Sequence, residues 1–164
     1  MDRIWAPWRM QYIEQGGKPE GCIFCVFPAQ DRDRENLILY RGKTAFVMLN
    51  SYPYNPGHLM IAPYEHTANM YDLSDEKLLE INRLLRYSIR LITECMHPDG
   101  FNVGLNLSRV AGSGVPDHIH WHVVPRWNGD TNFMPVIADT KVIPESLQAT
   151  YDKLKKKMEE IGED

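Results

Sequence analysis

The spacing of apolar residues changes along the chain, and each change marks an element. "LILYRGKTAFVMLN" (37–50) reads as two strands rich in β-branched and aromatic residues, joined by a turn at Arg41-Gly42-Lys43. "SYPYNPG" (51–57) is a loop rich in Pro, Asn and Gly, and "HLMIAP" (58–63) a third strand. The pattern then shifts to a helical period. Ser74 is a good N-cap, Leu78, Ile81, Leu85, Ile92 and Cys95 fall mostly three, four or seven apart, and His97-Pro98-Asp99-Gly100 ends the helix. "FNVGLNL" (101–107) alternates strictly, with Phe101, Val103, Leu105 and Leu107 on one face and Asn102, Gly104 and Asn106 on the other. After "SRVAGSGVPD", the run "HIHWHVV" (118–124) predicts another strand. A last helix starting near Pro144 carries Leu147, Tyr151, Leu154, Met158 and Ile161. Strands, one long helix, more strands and a final helix predict an α+β fold with an antiparallel sheet.

Residues 1–36, which include Trp5, Pro7, Trp8, Gly16, Gly17, Pro19 and Gly21, show no period and predict an irregular segment. The chain is expected to be a single domain over 1–164, with a core over 37–127 and a C-terminal extension over 128–164. Apolar residues make up 43% of the 164, enough for a real core. No apolar run approaches the roughly 20 residues of a membrane helix, and "MDRIWAPWRM" lacks a signal-peptide pattern. The expected location is the cytoplasm. A net charge of −4 argues against a broad nucleic-acid surface but leaves room for a small anionic ligand in a local pocket.

Three of the six histidines, His118, His120 and His122, stand at every second position. In an extended chain their rings share a face, and the outer two Cα atoms lie about 13 Å apart. Zinc–nitrogen bonds of about 2.0–2.1 Å make one ion shared by all three unfavourable. A neutral imidazole is a good nucleophile near pH 7 if an acceptor ties down one ring nitrogen and the other is free. The preceding turn adds Gly112 and Gly114, where main-chain N–H groups can approach an anion, and the hydroxyl of Ser113. A histidine face beside such a turn suits attack on a phosphate. Among the three cysteines, Cys22 and Cys25 have the spacing of half a four-ligand zinc site; two buried thiols, a disulfide or a redox pair are the alternatives. Cys95 lies on the apolar helix face.

"HIHWHVV", with "NPGHLMIAP" upstream, resembles the histidine triad (HIT) family over roughly residues 20–127. "WAPWRMQYI" and "HVVPRWNGDTNF" resemble its diadenosine tetraphosphate phosphorylase (ATP adenylyltransferase) branch. The resemblance implies that His120 attacks the α-phosphorus and forms a nucleotidyl-histidine, its ring oriented by the main-chain carbonyl of His118. His122 and His58 would sit against the phosphate and the nucleophile. Asn50 would contact the nucleotide, and Gly112, Ser113, Gly114 and Val115 would form the phosphate-binding turn, with Ser113 assisting the leaving group. The fragile-histidine-triad branch has a glutamine before this turn, where this chain reads "NLSRVAG"; Asn106 would take its place, or Arg109 would meet a distal phosphate. The resemblance also completes a structural zinc site from Cys22, Cys25, His66 and His118. The reaction needs no catalytic metal, because fixed N–H donors can stabilise charge on the phosphate.

The expected activity is cleavage of diadenosine tetraphosphate, with inorganic phosphate as acceptor, to ADP and ATP. Hydrolysis of dinucleoside polyphosphates, hydrolysis of nucleoside phosphoramidates, and non-catalytic nucleotide binding are the alternatives. Neither nucleic acid nor membrane is expected as a partner, and HIT proteins commonly form dimers around the long helix and a sheet edge. Trp5, Trp8 and Tyr12 are read as core or interface in preference to a base pocket, as are Phe46 and Met48. His97 is read as a surface residue and "KLKKKMEE" as a solvated helix face.

Overall fold

The computed structural model describes residues 21–132 and 142–162. One helical turn, α1 (Ile23–Val26), precedes strands β1 (Ile38–Arg41), β2 (Ala45–Leu49) and β3 (Leu59–Pro63). A 3-10 turn (Met70–Asp72), helix α2 (Asp75–Met96), strand β4 (Gly100–Leu105) and a second 3-10 turn (Arg109–Ala111) follow. Strand β5 (Trp121–Arg126) and helix α3 (Leu147–Ile161) complete the described elements. The strands form one antiparallel sheet in the order β1-β2-β3-β5-β4, as the α+β reading expects.

Every residue of β2 and β3 is buried, because both faces of the central strands are covered. On one face Val47, Leu49, Leu59, Ile61, Trp121 and Val123 pack under Ile81, Leu84, Leu91 and Ile92 of α2 and Tyr151 and Leu154 of α3. On the other, Ile38, Phe46, Met48, Met60 and Ala62 pack against Phe24. Phe46 and Met48 are core residues, as the simpler reading has it. Truncating a fully buried Leu154 to Ala would cost about 2–5 kcal/mol.

Ser74 is the N-cap of α2 through its backbone alone, its carbonyl accepting from Leu78 N–H, with Asp75 and Glu76 favourable at the positive helix end. His97 ends the helix in the left-handed conformation (φ 50°) and is exposed. Helix α3 starts at Leu147, three residues after the predicted Pro144, because Ser146 Oγ accepts from Ala149 N–H (3.2 Å) and sets the cap there. Tyr151 Oη donates to the Ile38 carbonyl (3.0 Å) and ties α3 to β1. The lysine-rich face is not simply solvated: Lys155 Nζ donates to the Leu39 carbonyl (3.1 Å), and Lys157 pairs with Glu94 and Glu160. No helix among the described residues is long and apolar enough to cross a membrane.

Two expectations need correction. The segment before residue 37 is not wholly irregular, since Ile23–Val26 makes a helical turn. The last strand begins at Trp121, so His118 and His120 precede it; Ile119 N–H donates instead to the Thr67 carbonyl (2.7 Å), outside the ladder. The apolar face of "FNVGLNL" is partly open, because β4 is an edge strand; Val103 and Leu107 are 45% and 50% exposed. Trp5, Trp8 and Tyr12 lie outside the described residues.

Candidate active site and metal centre

His122, on β5, pairs across the sheet with Met60 on one side and Gly104 on the other. A Cβ built on Gly104 would meet nothing within 4 Å, so the floor beside His122 is open. His58 enters just before β3 and is fully buried. Its loop needs the glycine of Pro-Gly-His: Gly57 has φ +79°, and a Cβ there would meet Met96 Sδ at 2.8 Å.

Hydrogen bonds fix the tautomer of each ring. The His118 carbonyl can only accept, so His120 Nδ1, 2.8 Å away, carries the proton and its Nε2 keeps a lone pair. The Tyr54 main-chain N–H donates to His58 Nδ1 (3.1 Å), which puts the His58 proton on Nε2. That N–H donates to His122 Nδ1 (2.9 Å), so the His122 proton sits on its own Nε2. Burial lowers the pKa of all three rings, His58 to about 3 and His122 to about 4, with neighbouring histidine charge adding to burial in these two; the carbonyl bond partly offsets burial at His120. Three neutral imidazoles therefore stand together near pH 7, one with a free lone pair and one with a free N–H. Phe24 packs on the His120 side, its ring centroid 4.7 Å from that of His120.

His118 turns to other work. Its Nε2–H donates to the Pro63 carbonyl (2.9 Å), leaving Nδ1 as a ligand atom, the usual outer-shell partner of a metal-binding histidine. That Nδ1 lies 3.3 Å from Cys22 Sγ, 3.6 Å from Cys25 Sγ and 3.2 Å from His66 Nδ1, and Cys25 Sγ lies 3.4 Å from His66 Nδ1. All four ligand atoms fall within 4.8 Å of one another. A tetrahedral ion with bonds of about 2.0–2.3 Å has nitrogen–nitrogen edges of about 3.4 Å and nitrogen–sulfur edges of about 3.5 Å, so the donor set fits a four-coordinate metal closely. Burial, and then the neighbouring Cys22, raise the Cys25 thiol, so a cation is what would hold it as thiolate. The spacing reading of Cys22 and Cys25 as half a metal site thus has its other half in place.

The glycine turn is placed less simply. Gly112 is left-handed (φ +92°), but its N–H donates to the Arg109 carbonyl (3.0 Å), and Ser113 N–H donates to the Ser108 carbonyl (3.2 Å). These two N–H groups are thus engaged within the turn itself. Ser113 Oγ is buried with no partner among the described residues. Asn106 is half-buried, its Nδ2 3.8 Å from a Cβ built on Gly112. Arg109 is exposed. Asn50 Oδ1 accepts from Tyr52 N–H (2.8 Å), an Asx turn that shapes the loop to His58.

Three residues here have no signal in the sequence pattern. Tyr54 and Pro63 act through main-chain atoms, and Asn55 is buried with its Nδ2 donating to the Pro125 carbonyl (2.9 Å) and Asp130 Oδ2 (2.7 Å).

The HIT domain family model matches residues 31–129. The chain is 41% identical over 157 residues to the Mycobacterium tuberculosis protein named AP-4-A phosphorylase, covering 92% of this chain and 80% of that one. It is 30% identical over 137 residues to adenosine 5'-monophosphoramidase hnt1 of Schizosaccharomyces pombe, covering 84% and 98%. A Zn-bound histidine triad family protein from Mycobacterium smegmatis superposes with a TM-score of 0.68 at 23% identity, over 86% of this chain and 95% of that chain.

Proposed function

The chain belongs to the HIT domain family, and on that premise we propose that it is a nucleotidyl transferase that cleaves diadenosine tetraphosphate with inorganic phosphate to ADP and ATP. The observation that carries this reading is the fixed tautomer of His120: Nδ1–H bound to the His118 carbonyl, Nε2 neutral and free. Attack by that nitrogen on the α-phosphorus forms an N–P bond as the P–O bond to the β-phosphate breaks, releasing ATP. The imidazolium left in the intermediate keeps its Nδ1 proton on the carbonyl. Phosphate then attacks the same phosphorus, ADP leaves, and the ring returns to neutral. His122 Nε2–H is the donor to the phosphoryl and departing oxygens, held in that tautomer by His58. The amides of Gly114 and Val115 and the hydroxyl of Ser113 receive the phosphate oxygens, and Asn50 and Asn106 the rest of the nucleotide.

The Cys22, Cys25, His66 and His118 centre holds zinc, which the donor set favours among common ions and which the Zn-bound M. smegmatis protein of the same fold supports. The ion supplies structure: its ligand His118 also presents the carbonyl that orients His120. The 41% identity to a protein named a phosphorylase favours phosphate as acceptor; the phosphoramidase relative supports a second reading, hydrolysis of adenosine phosphoramidates, through the same intermediate. The cytoplasm is the proposed location, and the exposed apolar edge at β4 supports a homodimer.

The test is product identification. Incubation with diadenosine tetraphosphate, with and without phosphate, should give ADP plus ATP only when phosphate is present. AMP plus ATP without phosphate would make the protein a hydrolase, and cleavage of phosphoramidates alone would transfer the assignment to the second reading. His120→Ala should abolish turnover and the adenylyl-protein mass adduct together.

A further inference from the structure

The catalytic rings belong to a longer row. From Phe24 it passes to His120 (centroids 4.7 Å apart), His122 (4.9 Å), His58 (5.1 Å) and Tyr54 (5.1 Å, interplanar angle 22°). Phe24 at one end is fully buried; Tyr54 at the other is 58% exposed. We propose that Tyr54 is a stacking platform for the nucleoside of the departing half of the substrate. The proposal rests on the transfer reading above and adds to it a residue that selects the leaving group.

Two features set this ring apart from an ordinary surface tyrosine. First, its loop is held from several directions. Tyr54 N–H donates to His58 Nδ1, His58 N–H donates to the Asn55 carbonyl (3.1 Å), and the Asn55 side chain is anchored to Pro125 and Asp130. Asp130 is itself clamped by Arg126, and Asn50 caps the loop at Tyr52. An aromatic ring on so constrained a backbone loses little freedom when a base settles on it.

Second, the order of the rings gives a direction. His120 is the nucleophile, and His122, the next ring, carries the Nε2–H for the departing oxygen. Displacement at phosphorus is in line, so the leaving group departs from the side opposite His120 Nε2. If His122 protonates or binds that oxygen, the departing half lies on the Tyr54 side of His122, the two ring centroids being 6.4 Å apart. One face of the tyrosine packs on His58, and more than half of the residue stays open to solvent. A purine stacked there adds affinity for the departing half without any hydrogen-bond readout of its edges, so discrimination between bases in that half should be weak.

The test compares two substrates with the same scissile bond and the same number of phosphates: diadenosine tetraphosphate, whose leaving group carries a nucleoside, and adenosine 5'-tetraphosphate, whose leaving group does not. In Tyr54→Ala the KM ratio of the first to the second should rise roughly tenfold, the scale of one lost base–aromatic stack, and Tyr54→Phe should restore it. Any indirect effect through His58 changes both substrates alike and leaves the ratio fixed. Calorimetry on His120→Ala, with and without Tyr54→Ala, gives the same ratio for binding alone. An unmoved ratio in either measurement, or a Phe variant as weak as Ala, overturns the proposal. A wild type that forms no adenylyl adduct overturns the transfer reading by itself; the binding ratio then decides the stacking independently.

Discussion

His58 Nε2 donates to His122 Nδ1 across 2.9 Å, and this bond leaves the His122 proton on Nε2. Both rings are neutral in the folded protein, His58 with a pKa pushed to about 3 and His122 to about 4, first by burial and then by neighbouring histidine charge. Unfolded, both titrate near 6.5. From about pH 6.5 downward the unfolded chain binds protons that the folded chain refuses, so stability is full above pH 6.5 and falls as the pH drops toward 4. The limiting slope is about 1.4 kcal/mol per pH unit for each ring. Urea midpoints should therefore fall steadily between pH 7 and pH 4.5, and His58→Leu should fall less steeply. A wild-type midpoint that stays flat from pH 7 to pH 5 contradicts the pair being buried and neutral.

Loss of His58 should also be felt in the rate. Without its donor, His122 Nδ1 takes the proton in part of the population, and Nε2 then has none to offer the departing oxygen. His58→Ala is expected to lower kcat about 10²-fold, the usual effect of a lost acid–base or donor group. The rate of adenylyl adduct formation measured in a single turnover is the check, because it isolates the first displacement. An unchanged single-turnover rate would mean that His122 keeps its tautomer without help.

The loop that presents His58 depends on Asn55, buried and bonded to Pro125 and Asp130. The Arg126 guanidinium holds the Asp130 carboxylate well below its usual range, so that carboxylate stays charged and needs its donors. Asn55→Ala removes one of them and leaves the Pro125 carbonyl without its partner. The expected cost is about 1–3 kcal/mol, read as a Tm lower by about 2–4 °C per kcal/mol. Asn55→Asp should be worse, since it places a second carboxylate against Asp130. A tolerated Asp variant would show that the network is looser than its distances.

How far these parts could be read in advance follows from their range along the chain. The period-two histidines and the Pro-Gly-His turn are local patterns, and they singled out the rings that the fold brings together, while the role proposed for His120 rests on resemblance. The start of β5 could not be read locally, because whether His118 joins the ladder is decided by Ile119 bonding to Thr67, 52 positions before it. The metal set joins Cys22 to His118 across 96 positions and Cys25 to His66 across 41, so spacing alone supplied only the first half; resemblance supplied the rest. Main-chain donors such as Tyr54 N–H leave no trace in residue type. The alternation in β4 was legible, but alternation says only that a face is apolar, not what covers it.

That uncovered face is the basis of the next expectation. Among the described residues β4 pairs only with β5, so its outer edge is open; Val103 on the strand is 45% exposed, and Leu107 and Val110 just beyond its end are 50% and 97% exposed. An apolar strand edge of this kind favours pairing with another strand, and a second copy of the chain is the partner the family resemblance implies. Sedimentation at micromolar concentration should give twice the chain mass. Val103→Lys, which puts a charge at the centre of the edge, should give a monomer that still melts cooperatively. A wild type that sediments as a monomer would remove the dimer from the reading.

The metal centre makes the sharpest link between fold and chemistry, because one residue serves both. His118 offers Nδ1 to the four-atom cluster and its carbonyl to His120 Nδ1–H. A chain purified without added metal should carry close to one zinc by elemental analysis, and Cys25→Ser should carry markedly less. Chelation should lower Tm, since an ion bound at a hundred times its Kd contributes about 2.7 kcal/mol to the folded state. At about 2–4 °C per kcal/mol for a chain of this size, the shift should be about 5–11 °C. Activity should fall with it, but His66→Ala separates the two effects. His66 is exposed and has no contact with the rings of His120 and His122 among the described residues, so its loss should weaken metal binding while leaving those two rings in place. If zinc content and Tm drop in that variant while the single-turnover rate holds, the ion supports only the fold. If the rate drops in proportion to zinc content, the ion also aligns the nucleophile through His118.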